Sequence, residues 1–198
     1  MYHIHTTCGL VLDSKNYGEA GKILRVFTKD YGLIIVVAQG IRLEKSKLRY
    51  FIQNYALTTI SVVKGKEFWR LTNASSVPEL DNADSVSQSK NNLLVVRVCK
   101  ILIRLLQGEE KHEELFNVIF EVIIFIYKNK ELNQERLKTL ESVIMFRILK
   151  LLGYIGKDDD VGEGISAGKI DIIFLDANID KRIMINKHVN KALAESHL

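Results

Sequence analysis

The spacing of apolar residues changes period once along the chain, and that change divides it in two. Residues 4–72 carry short apolar runs at Ile4–Leu12, Ile23–Thr28, Leu33–Ala38, Tyr55–Val63 and Phe68–Leu71, rich in Val, Ile, Thr and aromatics. Turn formers fall between them at Asp13-Ser14-Lys15-Asn16, Asp30-Tyr31-Gly32 and Lys64-Gly65-Lys66. Short strands at this spacing predict an all-β barrel or sandwich. Five strands in about 70 residues fit an OB barrel, a partly open Greek-key barrel whose face and loops bind oligonucleotides. An SH3-like barrel fits the same pattern.

From Leu93 the period becomes helical. In Asn92–Gln107 the polar positions Arg97, Lys100, Arg104 and Gln107 recur at intervals of 3, 4 and 3, a buried helix with one narrow basic stripe. Glu114–Lys128 repeats the pattern with Asn117 and Glu121 on its stripe, and Gln134–Leu152 is a third helix with Gly153 as its C-cap. Pro78–Asn92, rich in Asp, Ser, Asn and Gln, is the connector, with a helix cap at Asp84 or Ser85. Lys157–Gly168 is acidic and glycine-rich, hence a loop. Ile170–Leu175 and Lys181–Ile185 flank Asp176-Ala177-Asn178-Ile179-Asp180 and read as a β-hairpin, after which Asn186 caps a short helix ending near His197. The expected architecture is α+β and multidomain: a five-stranded OB barrel over residues 1–78, then a helical domain over 79–198 with a small hairpin within about 157–186.

The chain's 198 residues, 47% hydrophobic and 26% charged, describe a globular protein rather than a disordered or fibrous one. Two cysteines cannot build a disulfide framework or a four-thiolate zinc site. The longest apolar run, Val118–Tyr127, is about half of what a spanning helix needs, and the first residues lack the pattern of a secretory signal. A cytoplasmic protein is expected. The net charge of +4 is unevenly held: residues 1–72 have 11 Lys/Arg against 5 Asp/Glu, whereas residues 73–198 have 17 against 19. The excess sits wholly in the barrel zone, which points that zone toward a polyanion.

Sites of catalysis and cofactor binding are not expected. Gly18-Glu19-Ala20-Gly21-Lys22 has Asn16 where a P-loop needs its first glycine and Ile23 where it needs a hydroxyl, so it is a turn between strands. Gly162-x-Gly164-x-x-Ala167 follows Asp158, Asp159 and Asp160, which repel a pyrophosphate and lack calcium-loop spacing. On a strand His3 and His5 share a face while Cys8 points the other way, so no metal site is expected. No nucleophile–base or acid–base pair is legible, and an enzyme is disfavoured.

The segment Arg42-Leu43-Glu44-Lys45-Ser46-Lys47-Leu48-Arg49-Tyr50-Phe51 carries more information: four cations and one anion, then two aromatics, between two predicted strands. A barrel loop of this kind can follow a phosphate backbone while a ring stacks on bases. The bland reading is a solvated loop anchored by Leu48 and Phe51. The nucleic-acid candidates are Lys22, Arg25, Arg42, Lys45, Lys47, Arg49 and Tyr50. In the helical part Arg97, Lys100 and Arg104 on one helix, and Arg147 with Lys150 on another, could receive an acidic-hydrophobic peptide; alternatively they pair with Glu109, Glu113 or Glu121. An RNA- or ribosome-binding OB protein and a non-catalytic scaffold remain open as competing classes.

Tyr17-Gly18-Glu19, Phe27-Thr28-Lys29-Asp30-Tyr31-Gly32-Leu33, Val37-Ala38-Gln39-Gly40-Ile41-Arg42 and Lys45-Ser46-Lys47-Leu48-Arg49 resemble, in order and spacing, the N-terminal barrel of the bacterial RecO family. Arg147-Ile148-Leu149-Lys150-Leu151-Leu152-Gly153-Tyr154 is similar to that family's "LRLLGY"-like helix end. The resemblance implies an OB barrel followed by a helical domain. It also implies a recombination mediator of DNA repair, located in the cytoplasm at the nucleoid. Such proteins bind single- and double-stranded DNA, anneal complementary strands, and work with RecR and the C-terminal tail of the single-strand-binding protein to load RecA. Many family members carry a four-cysteine zinc ribbon after the "LLGY" segment; this chain has no cysteine there, and the expected Ile170–Ile185 hairpin would be its metal-free remnant.

Overall fold

A computed structural model describes residues 3–80, 92–156 and 161–196. The cap expected at Asp84 or Ser85 and the aspartates Asp158, Asp159 and Asp160 lie outside the described residues. The chain divides into two compact units, one of Met1–Val86 with Cys99–Phe116 and the other of Ser87–Val98 with Asn117–Leu198.

The first unit holds five strands, β1 (Ile4–Tyr17), β2 (Gly21–Thr28), β3 (Gly32–Ala38), β4 (Leu57–Lys64) and β5 (Trp69–Ser75), closed into a barrel in the order β1-β2-β3-β5-β4. All pairings are antiparallel except β3 with β5, which runs parallel over Val36↔Trp69 and Val37↔Arg70. This is the OB barrel, with a 3-10 turn at Lys47–Tyr50 in the long connection between β3 and β4. Alternate residues of each strand point inward, so Leu24, Val26, Ile34, Val36, Ile60 and Val62 fill the core with Val11, Ala38, Trp69 and Ala74. Ile41 and Ile52 complete it from the β3–β4 connection.

The turn expected at Asp13–Asn16 is instead strand. The β1–β2 reversal falls at residues 18–20, with Gly18 at φ +57, and β1 is irregular between Val11 and Asp13. The polar run belongs to the outer half of a long hairpin, where strand hydrogen bonding needs no apolar side chains.

One end of the barrel is covered by the unit's own later segment. Leu33 N–H donates to the Gly108 carbonyl at 3.2 Å, and Glu109 accepts from both the Trp69 indole (2.9 Å) and the Lys64 ammonium (2.8 Å). His5, Tyr31 and Trp69 pack ring to ring beside this clasp at centroid distances of 5.1–5.5 Å. Lys64 and Trp69 hold the Glu109 carboxyl below the usual carboxylate range. The clasp's charge contribution is therefore present at neutral pH and is lost as pH falls through the lowered value. Gly32, at φ +66, meets the same segment: a Cβ there would stand 2.0 Å from the Glu110 carbonyl oxygen.

The remaining elements are α1 (Asn92–Leu105), α2 (Glu113–Lys128), α3 (Gln134–Leu151), α4 (Glu163–Ala167), α5 (Ile172–Ala177) and α6 (Arg182–Glu195). Asn133 caps α3 by accepting from Arg136 N–H, and Gly153, at φ +80, follows its last turn. In the second unit α4, α5 and α6 all pack on α3.

The expected C-terminal hairpin is absent: Ile170–Leu175 and Lys181–Ile185 contribute to helices α5 and α6. Asp171 caps α5 through Phe174 N–H (2.7 Å), and Asn178 donates back to the Phe174 carbonyl (2.8 Å). The buried residues of α6, Ile185, Val189 and Ala192, recur at helical spacing, and Asn186 lies inside that helix rather than capping it. The β-branched content suggested strands; a capping aspartate and a helical stripe against α3 overrode it.

Candidate nucleic-acid interface

The other end of the barrel is where the predicted cations gather. Lys22, the second residue of β2, shares the inward-facing register of Leu24 and Val26, so its side chain stands at the barrel mouth rather than on its wall. After β3 the chain turns at Gly40, and Arg42 N–H donates to the Ala20 carbonyl at 2.9 Å, tying the basic connection to the β1–β2 turn. Leu48 and Phe51 pack against the core and Ile52 is buried within it, so the 3-10 turn is anchored by its apolar residues. The anchoring expected of Leu48 and Phe51 is thus present, and it leaves Lys45 and Lys47 exposed.

Lys22, Arg42 and Arg49 line one open pocket of about 270 Å³ with Ile41, Ile52 and Gln53. Ile41 and Ile52, 2% and 1% exposed, give it an apolar floor. Gln53 donates to the Arg49 carbonyl, fixing the wall. Arg49 donates to the Tyr50 hydroxyl at 3.0 Å and lies over its ring, 5.0 Å from the centroid. Among the described residues none of Lys22, Arg42, Lys45, Lys47 and Arg49 has a carboxylate within salt-bridge distance. A mouth with uncompensated cations above an apolar floor suits a ligand that is anionic along one edge and flat or apolar along another. Ile41, Ile52 and Gln53 were not anticipated as pocket residues; only their position beside the basic run signals them.

Arg25 departs from this group. It grips Asp13 across the β1–β2 hairpin with two hydrogen bonds, Nε to Oδ1 at 2.7 Å and Nη2 to Oδ2, and the bond to Asp13 raises its own pKa. Its odd register puts it on the barrel's outer surface, away from the inward parity of Lys22.

The expected peptide-receiving cations also separate. Arg97, Lys100 and Arg104 are exposed on α1, but Arg97 is engaged by both carboxylate oxygens of Glu141 at 2.6 and 2.7 Å, a partner not foreseen. Arg147 is not a surface residue: it is 2% exposed, and its guanidinium donates to the carbonyls of Ile165 (2.7 Å) and Gly168 (2.5 Å). Burial pushes its pKa down, with Glu121 acting in the opposite direction. Lys150 donates to Ser166 Oγ at 2.8 Å. Arg147 and Lys150 thus bind α4 and the turn after it onto α3. Arg147→Met is expected to cost about 2–4 kcal/mol, because two buried carbonyls lose a charged donor. Thermal melting checks the loss, and hydrogen exchange should rise first in Gly164–Ile170.

The residues do not fit a zinc ribbon. Among the described residues no three His, Cys, Asp or Glu side chains are placed to share a metal ion. Burial pushes the Cys8 thiol up to about 11 and the Cys99 thiol to about 12, the opposite of what a metal-binding thiolate needs. No helix among the described residues is long and apolar enough to cross a membrane.

Fold and site together define an OB-barrel protein with a cationic barrel mouth and an appended helical part. The family described as "Recombination protein O N terminal" matches residues 1–78. Curated relatives called DNA repair protein RecO extend the likeness into the helices. That of Halalkalibacterium halodurans is 26% identical over 148 residues, 73% of this chain and 55% of that protein. That of Rubrobacter xylanophilus is 24% identical over 160 residues, 81% and 62% of the two chains. That of Chlorobium phaeobacteroides is 28% identical over 151 residues, 75% and 55%. The chain is thus similar to RecO proteins over its barrel and into its helices, and it spans 55–62% of the length of these three relatives.

Proposed function

We propose that the chain is a DNA-binding recombination mediator of DNA repair, acting without catalysis through the open mouth of its barrel. The observation that carries this reading is the convergence of Lys22, Arg42 and Arg49 on one pocket, with Lys45 and Lys47 exposed on the same connection and no carboxylate opposing them among the described residues. Such a surface binds phosphates regardless of sequence, since charge neutralisation with counterion release reads no base edge. Both single and double strands are substrates. Annealing of complementary strands needs no chemistry, because a cationic surface screens the repulsion between two backbones and base pairing does the rest. In this role RecR, the single-strand-binding protein's C-terminal tail and, through them, RecA are the partners, and the cytoplasmic nucleoid is the place of action.

Arg25 is spent on Asp13, so about five phosphates are engaged. Log affinity for duplex should then fall with log salt at a slope of roughly −4.5, about a 500-fold loss between 50 and 200 mM. Fluorescence anisotropy of labelled strands across that range measures the slope, with annealing followed in the same samples. A slope near zero, or no binding at 50 mM, overturns the reading. Displacement of bound DNA by equimolar structured RNA would move the assignment to an RNA-binding OB protein.

A further inference from the structure

We infer that the barrel mouth contains a subsite for one unpaired base, built on Tyr50, which lets this surface distinguish single-stranded DNA from duplex. The inference rests on the proposed DNA-binding role and adds to it the state of the strand that is recognised. Tyr50 is 67% exposed, unusually open for a ring immediately before a core-packed residue, Phe51. It is nonetheless held in place: Arg49 bonds its hydroxyl and lies over its ring. Arg49 in turn is a wall of the cationic pocket, and its carbonyl is fixed by Gln53. A ring that is restrained, exposed and adjacent to phosphate-binding cations has the geometry of a stacking platform.

Duplex can use only half of this site. Its bases are stacked on each other and offer no free face, so duplex meets Lys22, Arg42, Lys45, Lys47 and Arg49 through phosphates alone. A single strand makes the same phosphate contacts and can also lay one base on Tyr50. Stacking carries no counterion release, whereas the phosphate contribution weakens with salt. Because a single strand also releases fewer counterions per phosphate contact than duplex, roughly 0.7 against 0.9, the preference for single strands should widen as salt rises.

The test uses the full chain with three labelled probes of equal length: a mixed-sequence single strand, its blunt duplex, and a single strand whose sugars carry no bases. At about 0.2 M salt the unmodified protein should hold the normal single strand at least about tenfold more tightly than the base-free strand, the range expected for one stacked base. Tyr50→Ala should lower affinity for the normal strand by a similar factor and bring it to the base-free level, with a far smaller change on duplex. Tyr50→Phe should restore the normal value, which separates stacking from loss of the hydroxyl bond to Arg49. Equal binding of normal and base-free strands by the unmodified protein, or an equal loss on single strand and duplex in Tyr50→Ala, overturns the subsite. Salt-dependent binding of all three probes with no discrimination refutes this inference alone. Absence of salt-dependent binding to any of them refutes the DNA-binding role beneath it.

Discussion

Reversing three cations together, Lys45→Glu, Lys47→Glu and Arg49→Glu, is expected to abolish DNA binding while leaving the barrel folded. The three occupy one short stretch of the β3–β4 connection, and none is held by a carboxylate among the described residues. The change removes three of about five phosphate contacts and puts repulsion in their place. Losing three contacts alone flattens the duplex salt slope from roughly −4.5 to roughly −2. The added repulsion should take the total loss at 0.1 M salt to on the order of a thousandfold. The fold should survive because the anchors of this connection are Leu48, Phe51 and Ile52, which are untouched. Anisotropy with labelled single strand and duplex measures the loss, and a melting curve within about 3 °C of the unmodified protein confirms the fold. Unchanged affinity in the folded triple variant would remove the barrel mouth from consideration. Arg25→Ala makes the contrast: its guanidinium already belongs to Asp13, so binding should change less than about threefold.

Gly32→Ala is expected to be the most damaging single substitution in the barrel. At φ +66 a side chain is strained in itself, and the new methyl would lie 2.0 Å from the Glu110 carbonyl oxygen, a backbone atom that cannot rotate away. Backbone strain and forced displacement together cost about 3–5 kcal/mol. For a chain of this length that is a melting decrease of roughly 10 °C. The displaced segment includes Glu109, so the Lys64 and Trp69 contacts should loosen too. A melting temperature unchanged by the substitution would mean that the segment around Glu110 does not seat against β3.

The barrel was legible because its short apolar runs are separated by turn residues, and the RecO likeness implied an OB barrel. Three helices were legible from their period alone. What escaped the sequence depends on long-range partners. Asp13 reads as a turn former until Arg25 is seen opposite it across the hairpin. Arg147 reads as one more cation at the end of a helix; the sign available was its setting between Phe146 and Ile148, both fully buried, where a charge must find partners. Glu109 lies 40 residues from Trp69, and nothing near either announces their hydrogen bond. In the candidate site the cations were legible as a composition, whereas their division between the mouth and the outer wall needed strand parity. The tail was misread because β-branched residues outweighed a single capping aspartate, Asp171.

The parallel contact of β3 with β5 joins the barrel through only two registered pairs, against six or more in every other pairing. Thermal breathing of the cylinder should begin at that seam. Trp69 sits on it and is the only tryptophan in the chain. Its emission is thus a built-in gauge of whether the cylinder is shut, readable without any label and independent of whatever occupies the far rim.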